Sequence, residues 1–211
     1  MISCGSYATN CYILTDTQSG ERAAVDCAVF DGAYRDFLHR LGVASLKYIL
    51  LTHGHFDHIL GVKQLKELCG GEVCIHEADA ACLTDEKESL NFYSHYGVQE
   101  PVSPDVLLRD GDTLALGESV IGVRSTPGHT RGSVCFTVGE SMFCGDTLFR
   151  LSMGRTDMPG GSTRALFQSL EALGRIPGNL DLYPGHGELT TLLFEKENNR
   201  YLRATKKEQG V

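Results

Sequence analysis

The chain has 211 residues, roughly one to one-and-a-half domains' worth, with 42% hydrophobic and 22% charged residues, as expected of a globular protein with its own core. Its net charge of −8 argues against a nucleic-acid partner, because phosphate contacts need a surplus of Lys and Arg. No window approaches the roughly 18 uncharged apolar residues of a membrane span, and Met1-Ile-Ser-Cys-Gly-Ser6 shows no basic-then-apolar export signal, so a cytoplasmic location is expected. In chain order, Asn10–Thr15 and Ala23–Cys27 read as strands around a polar turn, and Ala33–Leu41 as an amphipathic helix ended by Gly42. The apolar run 46–51 predicts a strand leading into Thr52-His-Gly-His-Phe-Asp-His58. A helix over 59–68, a strand over 73–76 and a helix over 77–83 follow. Residues 85–104, ending in Pro101 and Pro104, read as a long loop. Strands are predicted over 106–108, 112–116, 120–124, 133–138, 141–144 and 180–183, with helices over 163–173 and in the charged last 20 or so residues. Strands with interspersed helices in both halves fit an α+β sandwich, two packed β-sheets with outer helices.

Eight cysteines are spread over the chain with no CxxC pair. Cys69 and Cys74, four residues apart, come nearest. With no export signal they read as reduced, packed thiols.

Five of the eight histidines fall in three glycine-containing turns, each after a predicted strand: His53, His55 and His58 after 46–51, His129 after 120–124, His186 after 180–183. Asp146 holds the matching place after 141–144. In extended backbone His53 and His55 point the same way and can clamp one ion, while Asp57 and His58 turn into a helix start and can serve a second. Gly54 is expected to let the backbone pass close to the ion. Imidazole and carboxylate donors suit zinc, iron or manganese. His39, His76 and His95 lie outside these turns and read as ordinary residues.

The pattern His53-x-His55-x-Asp57-His58, with His129, Asp146 and His186 downstream, resembles the metallo-β-lactamase superfamily over nearly the whole chain. The resemblance implies a four-layer αβ/βα sandwich spanning 1–211 as a single domain. It also implies two divalent metal ions, zinc foremost with iron or manganese as alternatives. His53, His55 and His129 would hold the first ion, and Asp57, His58 and His186 the second, with Asp146 bridging. Asp57 and Asp146 would be catalytic, and Asp57 would relay a proton.

Asp26, Gly145-Asp-Thr-Leu-Phe149 and Gly154-Arg-Thr-Asp-Met-Pro-Gly-Gly161 further resemble the glyoxalase II-like hydrolases, which cleave glutathione thioesters. Two departures stand out. The 25 residues after His186 leave no room for the helical C-terminal domain of glyoxalase II, and Asp157 replaces a common aromatic. Arg155 is the expected anchor for a substrate carboxylate, its planar fork matching two oxygens. The implied partner is a small anionic thioester such as S-lactoylglutathione, with no nucleic acid and no membrane. Residues 85–104 and 149–161, with Phe149, Met153 and Met158, are expected to cover the pocket. The same seven residues also resemble those of persulfide dioxygenases, which use one iron at His53, His129 and Asp146. A likeness to the RNase Z group is weaker, since no basic arm is inserted. β-Lactamase activity is not expected, because the bridging position there is typically a cysteine.

Overall fold

The computed structural model describes residues 1–94 and 96–207; His95 lies outside the described residues. Two six-stranded mixed sheets face each other. The first runs in the order β1 (Ile2–Cys4), β2 (Thr9–Thr15), β3 (Arg22–Val25), β4 (Tyr48–Leu50), β5 (Glu72–His76), β6 (Val106–Leu108). β1–β2–β3 pair antiparallel and β3–β4–β5–β6 parallel. The second sheet is built from β7 (Thr113–Leu116), β8 (Ser119–Ser125), β9 (Val134–Val138), β10 (Ser141–Gly145), β13 (Asp181–Pro184) and β14 (Thr190–Thr191), in the order 14-13-10-9-8-7. Only its β10–β13 pair is parallel. Between β10 and β13 lie a small hairpin, β11 (Leu148–Phe149) with β12 (Ser152–Met153), and helix α5 (Thr163–Gly174).

The strands alternate faces, and this sorts the apolar residues into three layers. Ala23, Val25, Tyr48, Leu50, Val134, Phe136 and Phe143 fill the space between the sheets. Their neighbours Ala24, Ile49, Leu51, Val73 and Ile75 point outward beneath α1 (Gly32–Arg40) and α3 (Val62–Cys69). Cys135, Met142 and Cys144 do the same beneath α5, α6 (Leu192–Asn198) and α7 (Arg200–Lys207), where Leu166, Leu170 and Leu202 pack. This is the four-layer α+β sandwich the sequence implied. Phe136 is fully buried at its centre, so truncation to alanine there costs about 3–5 kcal/mol. All eight cysteines are buried and none is in a disulfide. Among the described residues no helix is long and apolar enough to cross a membrane.

The structure corrects several segment boundaries. The helix expected over 59–68 is two helices, α2 (Phe56–Ile59) and α3, separated at Leu60-Gly61. A Cβ on Gly61 would lie 2.5 Å from Cys27 Sγ and 2.8 Å from the Val29 backbone carbon, so the chain turns there to let β3's extension pass. Residues 77–83 form a 3₁₀ rather than an α-helix. The long loop contains one helical turn, α4 (Asn91–Ser94), over the small apolar cluster of Phe56, Leu60 and Leu90.

Candidate metal centre

All seven residues singled out in the turns meet at one edge of the sandwich, on the segments leaving β4, β8, β10 and β13. The loop after β13 is held against the first sheet. Asn10 N–H donates to Gly185 O at 2.7 Å, its amide Nδ2 donates to Pro184 O and Gly187 O, and Tyr12 OH donates to Pro184 O at 2.6 Å. A side chain at Gly185 would strike Asp146 Oδ1 at 2.3 Å, so only glycine lets this loop approach.

The ligand-type atoms fall into three overlapping groups: His53/His55/His129, His53/His58/Asp146 and Asp57/His58/His186, within each of which the atoms lie no more than 4.8 Å apart. His55 Nδ1 stands 2.8 Å from His129 Nε2, and His58 Nε2 3.2 Å from His186 Nε2. Asp146 lies between the two sets: Oδ1 is 3.4 Å from His58 Nε2, and Oδ2 is 3.5 Å from both His129 Nε2 and His186 Nε2. Asp57 Oδ2 is 3.4 Å from His186 Nε2.

Four of the five imidazoles are aimed from behind. Nδ1 of His53 meets Thr52 Oγ1 at 3.1 Å, that of His58 meets Asp26 Oδ2 at 2.8 Å, that of His129 meets Arg155 O at 2.8 Å, and that of His186 meets Tyr7 O at 3.0 Å. Such outer partners fix tautomer and ring direction, leaving Nε2 for a cation. His53 Nε2 and Asp146 Oδ1 are buried without a hydrogen-bond partner among the described residues. Buried polar atoms are nearly always paired, so these two orphaned atoms, set among further imidazole and carboxylate donors, fit a bound divalent ion.

Electrostatics separates the two sets. Burial and the surrounding imidazoles push His53 well below its ordinary pKa, and burial with His129 alongside takes His55 to about 3. Both are therefore neutral donors. Burial also pulls His58 down, but Asp26, Asp146 and Asp57 outweigh it and hold His58 above its usual value. Burial raises Asp57 and Asp146, yet His58 and its neighbours keep both carboxyls below the usual range.

Two residues that organise the site were not assigned a role from sequence. Asp26 is buried at φ +57° and accepts from Thr52 N–H, Thr52 Oγ1–H and His58 Nδ1. Its place after an apolar strand was visible, its reach to residues 52 and 58 was not. Asp79, buried in the 3₁₀ segment, accepts from Gly54 N–H, Thr130 Oγ1–H and Gly132 N–H, tying the two histidine turns together. No sequence signal marks it. Gly54 serves this packing rather than an ion: a Cβ there would meet Cys82 at 2.5 Å.

A cavity of about 850 Å³ opens over the cluster, lined by His55, Asp57, His129, Asp146 and His186 on its floor. Tyr7, Phe56, Leu90, Tyr93, Phe149, Met153 and Met158 line its walls, so both segments expected to cover the pocket contribute. Arg155 also lines it, but its fork is closed on Asp157, with Nε donating to Oδ1 at 2.8 Å and Nη2 to Oδ2 at 2.9 Å. The expected carboxylate anchor thus stands in an ion pair with Asp157. Of the remaining histidines, His76 caps the 3₁₀ segment by accepting from Ala78 N–H.

The family model for the metallo-beta-lactamase superfamily matches residues 5–186. The chain is 36% identical to an uncharacterized protein of Mycobacterium leprae, over 94% of this chain and 95% of that one. It is 31% identical to the probable polyketide biosynthesis zinc-dependent hydrolase BaeB of Bacillus velezensis, covering 97% and 86%, and 33% identical to the probable metallo-hydrolase YqgX of Bacillus subtilis, covering 83% and 87%. Among solved structures, BLEG-1 B3 metallo-beta-lactamase superposes with a TM-score of 0.88 at 31% identity, covering 95% of this chain and 97% of that one. TTHA1623 in a di-iron-bound form gives 0.84 at 32%, covering 95% and 98%. ETHE1 from Myxococcus xanthus is more distant, at 0.75 and 25%, covering 96% and 87%. The chain belongs to the metallo-beta-lactamase superfamily and carries a metallo-hydrolase-like site.

Proposed function

We propose that the protein is a dinuclear metal-dependent hydrolase of small thioesters of the glutathione type, S-lactoylglutathione among them. The observation that carries this reading is the convergence of two donor triads on either side of Asp146 beneath the cavity. His53, His55 and His129 would hold one divalent ion and Asp57, His58 and His186 the other, with Asp146 reaching both. Two such ions would supply a hydroxide nucleophile at neutral pH and polarise the carbonyl under attack. Zinc is favoured by the relative BaeB and iron by the di-iron form of TTHA1623.

The chain's own groups do the rest. Asp57, on the cavity floor next to His186, is placed to take the proton released as the nucleophile attacks. Among the described residues every histidine and aspartate lining the cavity belongs to the cluster, so none there is read as a separate acid for a departing group. A thiolate, with a pKa near 8.5, leaves without that help. The apolar walls of Phe56, Phe149, Met153 and Met158 exclude water from the acyl side.

The likeness to BLEG-1 adds a second reading, β-lactam hydrolysis, which the sequence alone had set aside. The test is to quantify metals in the purified protein and follow S-lactoylglutathione and a chromogenic β-lactam in parallel. Thioester turnover with two ions per chain and no lactam turnover supports the proposal. Lactam turnover alone overturns it, as does a single iron with oxygen uptake on glutathione persulfide.

A further inference from the structure

A second cavity, of about 310 Å³, adjoins the first and shares His55, Tyr93 and Pro159 with it. It is lined by Arg131 and Lys87, with Glu88, Asp79, Thr130 and Cys82. Arg131 lies two residues beyond His129, on the turn that Asp79 pins from both sides through Thr130 Oγ1 and Gly132 N–H. A Cβ at position 132 would come within 2.6 Å of the Asp79 carboxyl, so this turn has little room to shift. The backbone at Arg131 is therefore fixed while its side chain stays exposed. Three donors already engage the Asp79 carboxylate, which makes it a poor competitor for a cation. Lys87 lies over the Phe92 ring at 5.6 Å. Neither Lys87 nor Arg131 is in an ion pair among the described residues, whereas Arg155 donates through Nε and Nη2 to Asp157.

We infer that the second cavity is an anion subsite, in which Arg131, assisted by Lys87, holds the negatively charged end of the thiol carrier while the thioester lies over the metal centre. The inference rests on the thioester reading and replaces Arg155 with Arg131 as the carrier's anchor. Carboxylate and phosphate share the required chemistry, oxygens that accept from a guanidinium fork. The polar cavity takes the carrier and the apolar one the acyl group, so the scissile bond falls near His55, common to both.

The metal-loaded protein is titrated calorimetrically with three thiols: glutathione (carboxylates), pantetheine 4′-phosphate (phosphate) and N-acetylcysteamine (neutral). All three offer a thiol to the metals, so the part of any difference that Arg131→Gln removes reports the anion. At least one anionic thiol binds the wild type about tenfold or more tighter than the neutral one, and Arg131→Gln removes that advantage. Whichever thiol loses affinity identifies the anion. Arg131→Lys keeps most of the advantage for phosphate and less for carboxylate, and Arg155→Gln leaves it in place. Equal affinity for the three thiols, an advantage that survives Arg131→Gln, or its loss in Arg155→Gln instead would each overturn the subsite. Thioester turnover measured on the same samples separates the two ideas. Turnover with Arg131-independent binding refutes the subsite alone, and Arg131-dependent binding without turnover refutes the hydrolase reading alone.

Discussion

The two donor triads differ in composition and in access. His53, His55 and His129 are three buried imidazoles with no acid among them, and Asp146 Oδ2 stands 3.5 Å from His129 Nε2. Asp57, His58 and His186 include an acid; His58 is buried against Asp26, while Asp57 and His186 keep 15% and 25% of their side-chain surface, against 4% for His129. One half of the centre would retain its ion mainly by enclosure, the other mainly by charge. The same fold edge thus presents two environments to a cation, and changes to the chain should affect binding in them unequally.

Asp146→Ala breaks the comparison most completely, because it removes the one group that both triads share. It should empty both positions and lower turnover by about 10³-fold or more, several kcal/mol of lost transition-state stabilisation, checked by metal analysis and kinetics. His58→Ala should instead halve the metal content, from about two ions per chain to about one, leaving the enclosed triad loaded. Equal loss from both positions would show that the triads do not bind independently.

Asp26→Asn sharpens the contrast further. Asparagine tolerates the left-handed backbone at position 26, so the fold persists while the charge behind His58 is gone. Metal affinity should fall about 10- to 100-fold, seen as competition with a chelator, and more at the position His58 serves directly than at the one Asp26 reaches only through Thr52 and His53. Asp79→Asn should act on the scaffold: unpinning the histidine turns costs about 1–3 kcal/mol, a Tm fall of roughly 2–10 °C by calorimetry, with turnover the less affected quantity.

The donor residues were legible in the sequence because each follows a strand directly, and strand spacing is set by short-range alternation that a reader can count. The two-sheet layout was legible for the same reason. What escaped was whatever depends on distance across the fold. Asp26 serves residues 52 and 58, and Asp79 serves residues 54, 130 and 132, contacts that no local pattern encodes. The Arg155–Asp157 pair also went unread, because Asp157 was weighed as a missing aromatic and not as a carboxylate within reach. At the break between α2 and α3, Gly61 likewise meets Cys27 and Val29 of the segment that follows β3.

The loop that carries His186 is clasped by β2 and the turn before it, through Asn10, Tyr12 and the carbonyl of Tyr7, across some of the widest sequence separations in the molecule. Loop-closure entropy opposes such contacts until the intervening chain is ordered. A nascent chain has the clasping residues and His53, His55 and His129 long before it has His186, so the donor set is complete only once the chain's beginning has docked against its final third.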